Sequence, residues 1–143
     1  GDLESYLLLA LAYNMRVEPE SWRNTDLARS FKQTDKSKSI ETILKLCHEK
    51  KYIPGSFEYA MYLMYKRYPS YKDAYVILYD LYQKGIGKAG LYLGLMYENG
   101  WGVKQDISEA IAFYKKQDEA GDLEATAILA SCQFKNKEYG NDY

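Results

Sequence analysis

The chain of 143 residues carries 19 lysines and arginines against 20 aspartates and glutamates, so its formal net charge is −1. This balance does not favour nucleic acid or an anionic membrane as partner, since both usually require an excess of basic residues. The hydrophobic fraction of 47% is that of a folded globular protein. No apolar stretch approaches the ~20 residues of a membrane span, so none is predicted.

Cysteine and tyrosine usage adds two expectations. Cys47 and Cys132 are the only cysteines, and they lack the short spacing of a metal site or redox pair. We expect free, buried thiols, although the sequence does not exclude a disulfide between them. The 16 tyrosines suit half-buried positions between helices as well as binding surfaces. No pattern indicates a metal ion or a cofactor.

The N-terminal part, residues 1–51, is predicted to be helical but irregular. Residues 2–15 show a leucine-rich helical pattern, Pro19 interrupts it, and residues 25–31 give a shorter helical stretch. Residues 32–39 are polar and unpatterned, which predicts a loop. A further helix is indicated by the apolar spacing of Ile40, Ile43, Leu44 and Cys47.

The rest of the chain contains a repeat with a spacing of 36 residues, which aligns Gly85 with Gly121. The same shift aligns Ala74 with Ala110. A fixed period in this range is typical of a solenoid of stacked helix pairs. The sequence therefore predicts a single all-α domain over residues 1–143.

Three segments follow from this period. Residues 85–120 form a complete repeat, in which a glycine-rich elbow separates two helices and either Asp106 or Ser108 caps the second helix. Residues 55–84 form a shortened repeat with a tighter elbow. Residues 121–135 supply the first helix of a last repeat, or a cap.

The complete repeat resembles the Sel-one-like (Sel1-like) repeat, a relative of the tetratricopeptide repeat. The matching positions are Ala89, Leu93, Gly94, Tyr97, Gly100, Gly102, Val103, Asp106, Ala110, Tyr114, Lys115, Gly121 and Ala125. The resemblance implies a right-handed superhelix of about seven or eight helices in antiparallel pairs. It also implies a protein-binding adaptor rather than an enzyme, as in bacterial proteins that position or neutralise a partner in the cytoplasm or periplasm.

In similar superhelices the first helix of each pair lines the concave face, where a partner binds. With Leu93 as the buried reference, the same register along the other first helices predicts a largely apolar line with acidic ends. Such a line suits an amphipathic helix or an apolar peptide that carries some positive charge. Trp101, at the elbow, is a further candidate, although it could instead cover the adjacent repeat. The predicted partner-binding residues are Leu7, Leu11, Glu58, Met61, Tyr65, Tyr68, Lys88, Leu91, Leu95, Glu98, Trp101 and Phe134.

Two alternatives stay open from the residues alone. The first is a hydrolase or enzyme accessory subunit that uses Cys47 with His48, the only histidine. Successive helix residues point about 100° apart, so these neighbours do not converge on one substrate. The second is a structural fragment of a longer repeat array.

The glycine string at residues 85–90 matches a dinucleotide-binding pattern, but it follows a helical pattern rather than a strand, so no nucleotide site is predicted.

Overall fold

The computed structural model describes residues 36–139, with side chains for residues 40–135. This range contains six α-helices and no β-strand, which confirms the predicted all-α class. The helices predicted at residues 2–15 and 25–31 lie outside the described residues. The six described helices are α1 (Lys36–Glu49), α2 (Ile53–Tyr65), α3 (Tyr71–Gln83), α4 (Gly87–Asn99), α5 (Ile107–Glu119) and α6 (Leu123–Tyr139).

The chain divides into two compact units, Gly1–Tyr62 and Leu63–Tyr143, and the division falls inside α2. In the described part of the first unit, α1 buries the four apolar side chains that predicted it, which are Ile40, Ile43, Leu44 and Cys47. Helix α1 nevertheless begins at Lys36, so the end of the predicted polar loop is helical.

The second unit contains α3 to α6, and each of these helices packs against the next one along the chain. Its core includes a cluster from the last three helices, with Leu91 on α4, Tyr114 on α5 and Leu129 on α6. Tyr114 is fully buried. A methyl group at Gly94 would lie 2.5 Å from Cε1 of Tyr114, so the α4 backbone and the Tyr114 ring are in direct contact.

Three helices end in the same turn, at Lys51 after α1, Gly85 after α3 and Gly121 after α5. These residues have positive φ angles of 58°, 88° and 90°. In each turn the N–H of this residue and the N–H of the next one donate to carbonyls of the helix, at 2.9–3.0 Å. This is the Schellman arrangement, which satisfies the last carbonyls of a helix and favours glycine at the positive-φ position. Lys51 adopts the same turn although, unlike glycine, it carries a side chain.

The elbow between α4 and α5 follows the predicted glycine pattern. Gly100 ends α4 in the left-handed conformation, and the Trp101 N–H donates to the Met96 carbonyl at 2.9 Å. Gly102 lies against the backbone of Tyr71, where an added Cβ would be 2.8 Å from the Tyr71 carbonyl carbon. The elbow therefore brings the complete repeat into contact with the start of α3.

Asp106, one of the two predicted caps, is the N-cap of α5. Its Oδ1 accepts the Glu109 N–H at 3.1 Å, and the side chain of Ser108 makes no such bond. Asp106→Ala should therefore lower the free energy of unfolding by about 1 kcal/mol, because a helical N–H loses its acceptor. Urea unfolding followed by circular dichroism measures the change. The control Ser108→Ala should be neutral, and an equal loss in both variants would contradict the assignment.

Candidate functional site

The predicted partner-binding residues differ widely in exposure. Leu7 and Leu11 lie outside the described residues. Tyr65, Tyr68 and Phe134 are exposed, at 61%, 77% and 69%. The half-buried positions are Glu58, Met61, Lys88, Leu95, Glu98 and Trp101. One predicted residue, Leu91, is fully buried.

The burial of Leu91 corrects the prediction that it faces a partner. Its side chain packs in the cluster formed with α5 and α6, next to Ala125 and Leu129. Because α4 has neighbours on several sides, it buries Leu91 as well as Leu93. Leu95, one turn further on, is partly buried against the same cluster. The α4 positions thus contribute mainly to packing within the chain.

Glu98 joins the last three helices through two hydrogen bonds. Its Oε2 accepts from Oη of Tyr114 at 2.7 Å, and its Oε1 accepts from Sγ of Cys132 at 3.2 Å. Burial, and then the bond to Glu98, raise the pKa of Tyr114 and raise that of Cys132 to about 11. Both groups therefore stay protonated at neutral pH and can donate. This geometry gives Glu98 a structural partner on each oxygen.

Trp101 lies against the preceding repeat. Its ring is stacked on Tyr71, with centroids 5.3 Å apart and planes 5° apart. This contact matches the second interpretation of Trp101, in which it covers the adjacent repeat, and it helps to hold the elbow against α3.

A patch on the first helices of the repeats (α2, α4 and α6) contains the exposed Tyr65 and Glu124 and the half-buried Lys88 and Tyr92. Lys88 Nζ donates to Glu124 Oε2 at 2.6 Å and to Asp122 Oδ2 at 3.5 Å, and the Glu124 bond is the main cause of its raised pKa. Burial raises the pKa of Tyr65, with smaller contributions from neighbours that include Tyr92 and Glu124. We call these four residues the first-helix patch. Lys88 and Glu124 occupy equivalent positions, 36 residues apart.

Glu58, in the first unit, carries a partly desolvated carboxyl group. Burial raises its pKa, and no cationic group among the described residues contributes to the shift. A carboxylate held in this way gains from a cation that approaches it, since the opposite charge offsets the lost hydration.

Cys47 and His48 do not form a reactive pair. Cys47 is fully buried, and desolvation raises the pKa of its thiol, whereas a nucleophilic cysteine needs a lowered one. His48 Nδ1 lies 2.9 Å from Oγ of the buried Ser56, and its ring lies 5.8 Å from that of Tyr59. These contacts favour packing between α1 and α2 over catalysis. As expected, neither cysteine is in a disulfide, since Cys47 and Cys132 are both free and buried.

A second surface feature, not anticipated from the sequence, is an open groove of about 420 Å³ that five aromatic side chains line. We call it the aromatic cup. Neighbouring rings contact one another in turn, with centroids 5.4 to 6.1 Å apart. The cup consists of Tyr75, Tyr79 and Tyr82 on α3, Tyr97 on α4 and Phe113 on α5.

Polar groups complete the rim of the cup. Oη of Tyr75 and Oη of Tyr97 are hydrogen-bonded at 2.9 Å, and Glu109 and Lys116 line the groove from α5. The tyrosines on α3 recur at positions i, i+4 and i+7, which is one face of a helix. That spacing is the signal in the sequence that could have located the α3 side of the cup.

Comparison with known proteins identifies the fold. No protein-family model matches the chain, and no curated protein is similar to it at a significant level. A solved structure, a Sel1 repeat protein from Oxalobacter formigenes, superposes with a TM-score of 0.67 at 19% identity. The match covers 91% of this chain and 48% of the other, so the chain spans about half the length of that neighbour.

This similarity, together with the described helices, shows an all-α helical-repeat solenoid of the Sel1 type. The Sel1-like resemblance of the sequence is thus confirmed at the level of the fold. Among the helices in residues 36–139, none is long and apolar enough to cross a membrane. In the same range, no group of three or more histidine, cysteine or acidic side chains could hold a metal ion.

Proposed function

We propose that this protein is an interaction scaffold that binds another protein through the exposed face of its first helices. The observation that carries the proposal is the exposure of Tyr65 and Phe134, two large aromatic side chains at predicted first-helix positions. Exposed aromatic residues provide much of the binding energy at protein interfaces. Helical-repeat solenoids present such residues on a continuous surface.

The partner that best fits is an amphipathic helix or an extended apolar peptide with some positive charge. Tyr65 supplies an apolar ring, and Lys88 is already paired with Glu124, so the first-helix patch has little net attraction for an anion. Glu58, with its desolvated carboxyl group, favours a cationic partner group. Tyr68, which is 77% exposed, is a further aromatic residue that we assign to binding, and Met61 is an apolar candidate in the first unit.

The resemblance to Sel1-like proteins supports a finer proposal. We assign the chain to a bacterial adaptor that positions or neutralises a partner protein, with an immunity role as one form of neutralisation. The compartment proposed with it is the cytoplasm or the periplasm. This assignment rests on analogy of fold and needs the partner itself as its test.

The test is affinity capture from bacterial extracts with the full chain, followed by measurement of Kd for the captured protein. Tyr65→Ala and Phe134→Ala should each weaken binding by about tenfold or more, since each removes an exposed aromatic contact. Val76→Ala is the matched control, because Val76 is 67% exposed but lies on the second helix α3.

Thermal unfolding of each variant establishes that the fold is retained. Wild-type affinity in both Tyr65→Ala and Phe134→Ala would contradict the proposed surface. Loss of binding in Val76→Ala, with wild-type affinity in both first-helix variants, would likewise contradict the proposed surface.

A further inference from the structure

The aromatic cup has the composition of a site for an organic cation. Five aromatic rings surround one groove, and the faces of such rings attract cations through their quadrupoles. Tyr79 is 45% exposed, so part of its ring is accessible to a ligand. The ring chain runs from α3 over α4 to α5 and back to α3, so the groove is bounded by rings on three helices.

A carboxylate lies at one end of the groove. Glu109, in the first turn of α5, makes no ion pair with any described residue, and its charge acts on the hydroxyl of Tyr75. The backbone N–H of Glu109 is engaged with Asp106, which holds the start of the helix and leaves the side chain available.

Hydroxyl groups beside Glu109 supply neutral acceptors. Burial, and then the bond to Tyr97, raise the pKa of Tyr75 to about 12, so its hydroxyl stays protonated at neutral pH. The Tyr75–Tyr97 pair uses one proton between two oxygens, and the remaining lone pairs can accept further hydrogen bonds.

Lys116 restricts where a cation can lie. It follows Glu109 by seven residues on the same face of α5, so the two residues are separated by about 10.5 Å along the helix axis. A cation is therefore favoured in the part of the groove with Glu109, Tyr75 and Tyr97, and disfavoured next to Lys116.

We propose that the aromatic cup binds the guanidinium group of an arginine side chain from the partner protein, at the end marked by Glu109. A planar guanidinium stacks on aromatic faces, donates several hydrogen bonds and is more weakly hydrated than an ammonium group. It can stack beside Phe113 or Tyr79 and donate to Glu109 and the tyrosine oxygens at once. The assignment of this arginine to a partner protein rests on the proposed scaffold function.

A small probe tests the cup without the partner. The full chain, labelled with ¹⁵N, is titrated with N-acetyl-arginine methylamide, and the control ligand is N-acetyl-citrulline methylamide, which has the same shape but no charge. We expect saturable shifts of amides in α3 and α5, with binding about fivefold or more weaker for the citrulline compound. Equal binding of both compounds, or no saturation with the arginine compound, would overturn the proposal.

Two matched variants locate the cation. Glu109→Gln should weaken the arginine probe by about fivefold or more, because a charge-assisted bond is lost. Lys116→Gln should not weaken it. The reverse pattern, or tighter binding of tetramethylammonium than of the arginine probe, would overturn a guanidinium site at this end.

The partner distinguishes this inference from the scaffold proposal. Glu109→Gln and Tyr79→Ala should also weaken binding of the captured partner. Tyr65→Ala should leave binding of the arginine probe unchanged. If the probe binds but Tyr65→Ala and Phe134→Ala leave partner affinity unchanged, the result contradicts the first-helix interface and supports the arginine site in the aromatic cup. If Glu109→Gln and Tyr79→Ala bind the partner normally, the assignment of the arginine to the partner fails.

Discussion

Tyr114→Ala should lower the free energy of unfolding of the second unit by about 3–5 kcal/mol, as for other large-to-small changes of buried aromatic residues. Tyr114 is fully buried, and its ring fills the space between α4, α5 and α6. The substitution removes that apolar contact and also one of the two donors to Glu98. Urea unfolding monitored by far-ultraviolet circular dichroism measures the loss.

Two further variants separate the ring from the hydroxyl. Tyr114→Phe keeps the ring but removes the bond to the Glu98 carboxylate, so it should cost about 1.5–3 kcal/mol. Tyr68→Phe is the matched control, since the exposed Tyr68 should lose almost nothing. A change in Tyr114→Ala no larger than in Tyr114→Phe would show that the ring contributes little to packing.

Gly94→Ala should also destabilise the second unit, by about 1–3 kcal/mol or more. Helix propensity alone predicts the opposite, a gain of about 1 kcal/mol for alanine in place of glycine. The new methyl group would lie 2.5 Å from Cε1 of Tyr114, whose ring is fully buried among residues of α4, α5 and α6. The sign of the measured change therefore tests how closely α4 and α5 approach.

The companion variant is Gly94→Ala with Tyr114→Leu. The smaller side chain should relieve the clash, so that the double variant loses clearly less than the sum of the two single losses. Ala130→Gly on α6 gives the reference for propensity at an exposed position and should cost about 1 kcal/mol. A stabilised Gly94→Ala, or additive losses in the double variant, would contradict the close contact.

The second unit shows which parts of the fold could be predicted from the sequence. The end of α4 and the start of α5 were predictable because local chemistry determines them, through the left-handed Gly100 and the cap at Asp106. The beginning of α1 was not, since a polar segment without apolar spacing carries no helical signal. Helix α6 likewise continues to Tyr139, past residue 135, where the predicted segment ends.

The partner-binding surface was less predictable because it depends on neighbouring helices. A single reference residue, Leu93, assigned one buried side to α4, but packing with residues of α5 and α6 buries Leu91 too. The aromatic cup depends on three helices at once, and only the spacing of the tyrosines on α3 is visible in the sequence. Tyr97 and Phe113 join it through tertiary packing.

The turn after α1 bears on how such repeats are counted in other chains. A consensus scan that requires glycine at each boundary passes over this position, although Lys51 has the same sign of φ as Gly85 and Gly121. Because lysine is tolerated there, replacing one glycine can hide a repeat boundary in the sequence while the backbone keeps its path. Repeat counts based on glycine spacing will therefore miss units in diverged arrays. Backbone dihedral angles still identify the boundaries of such units.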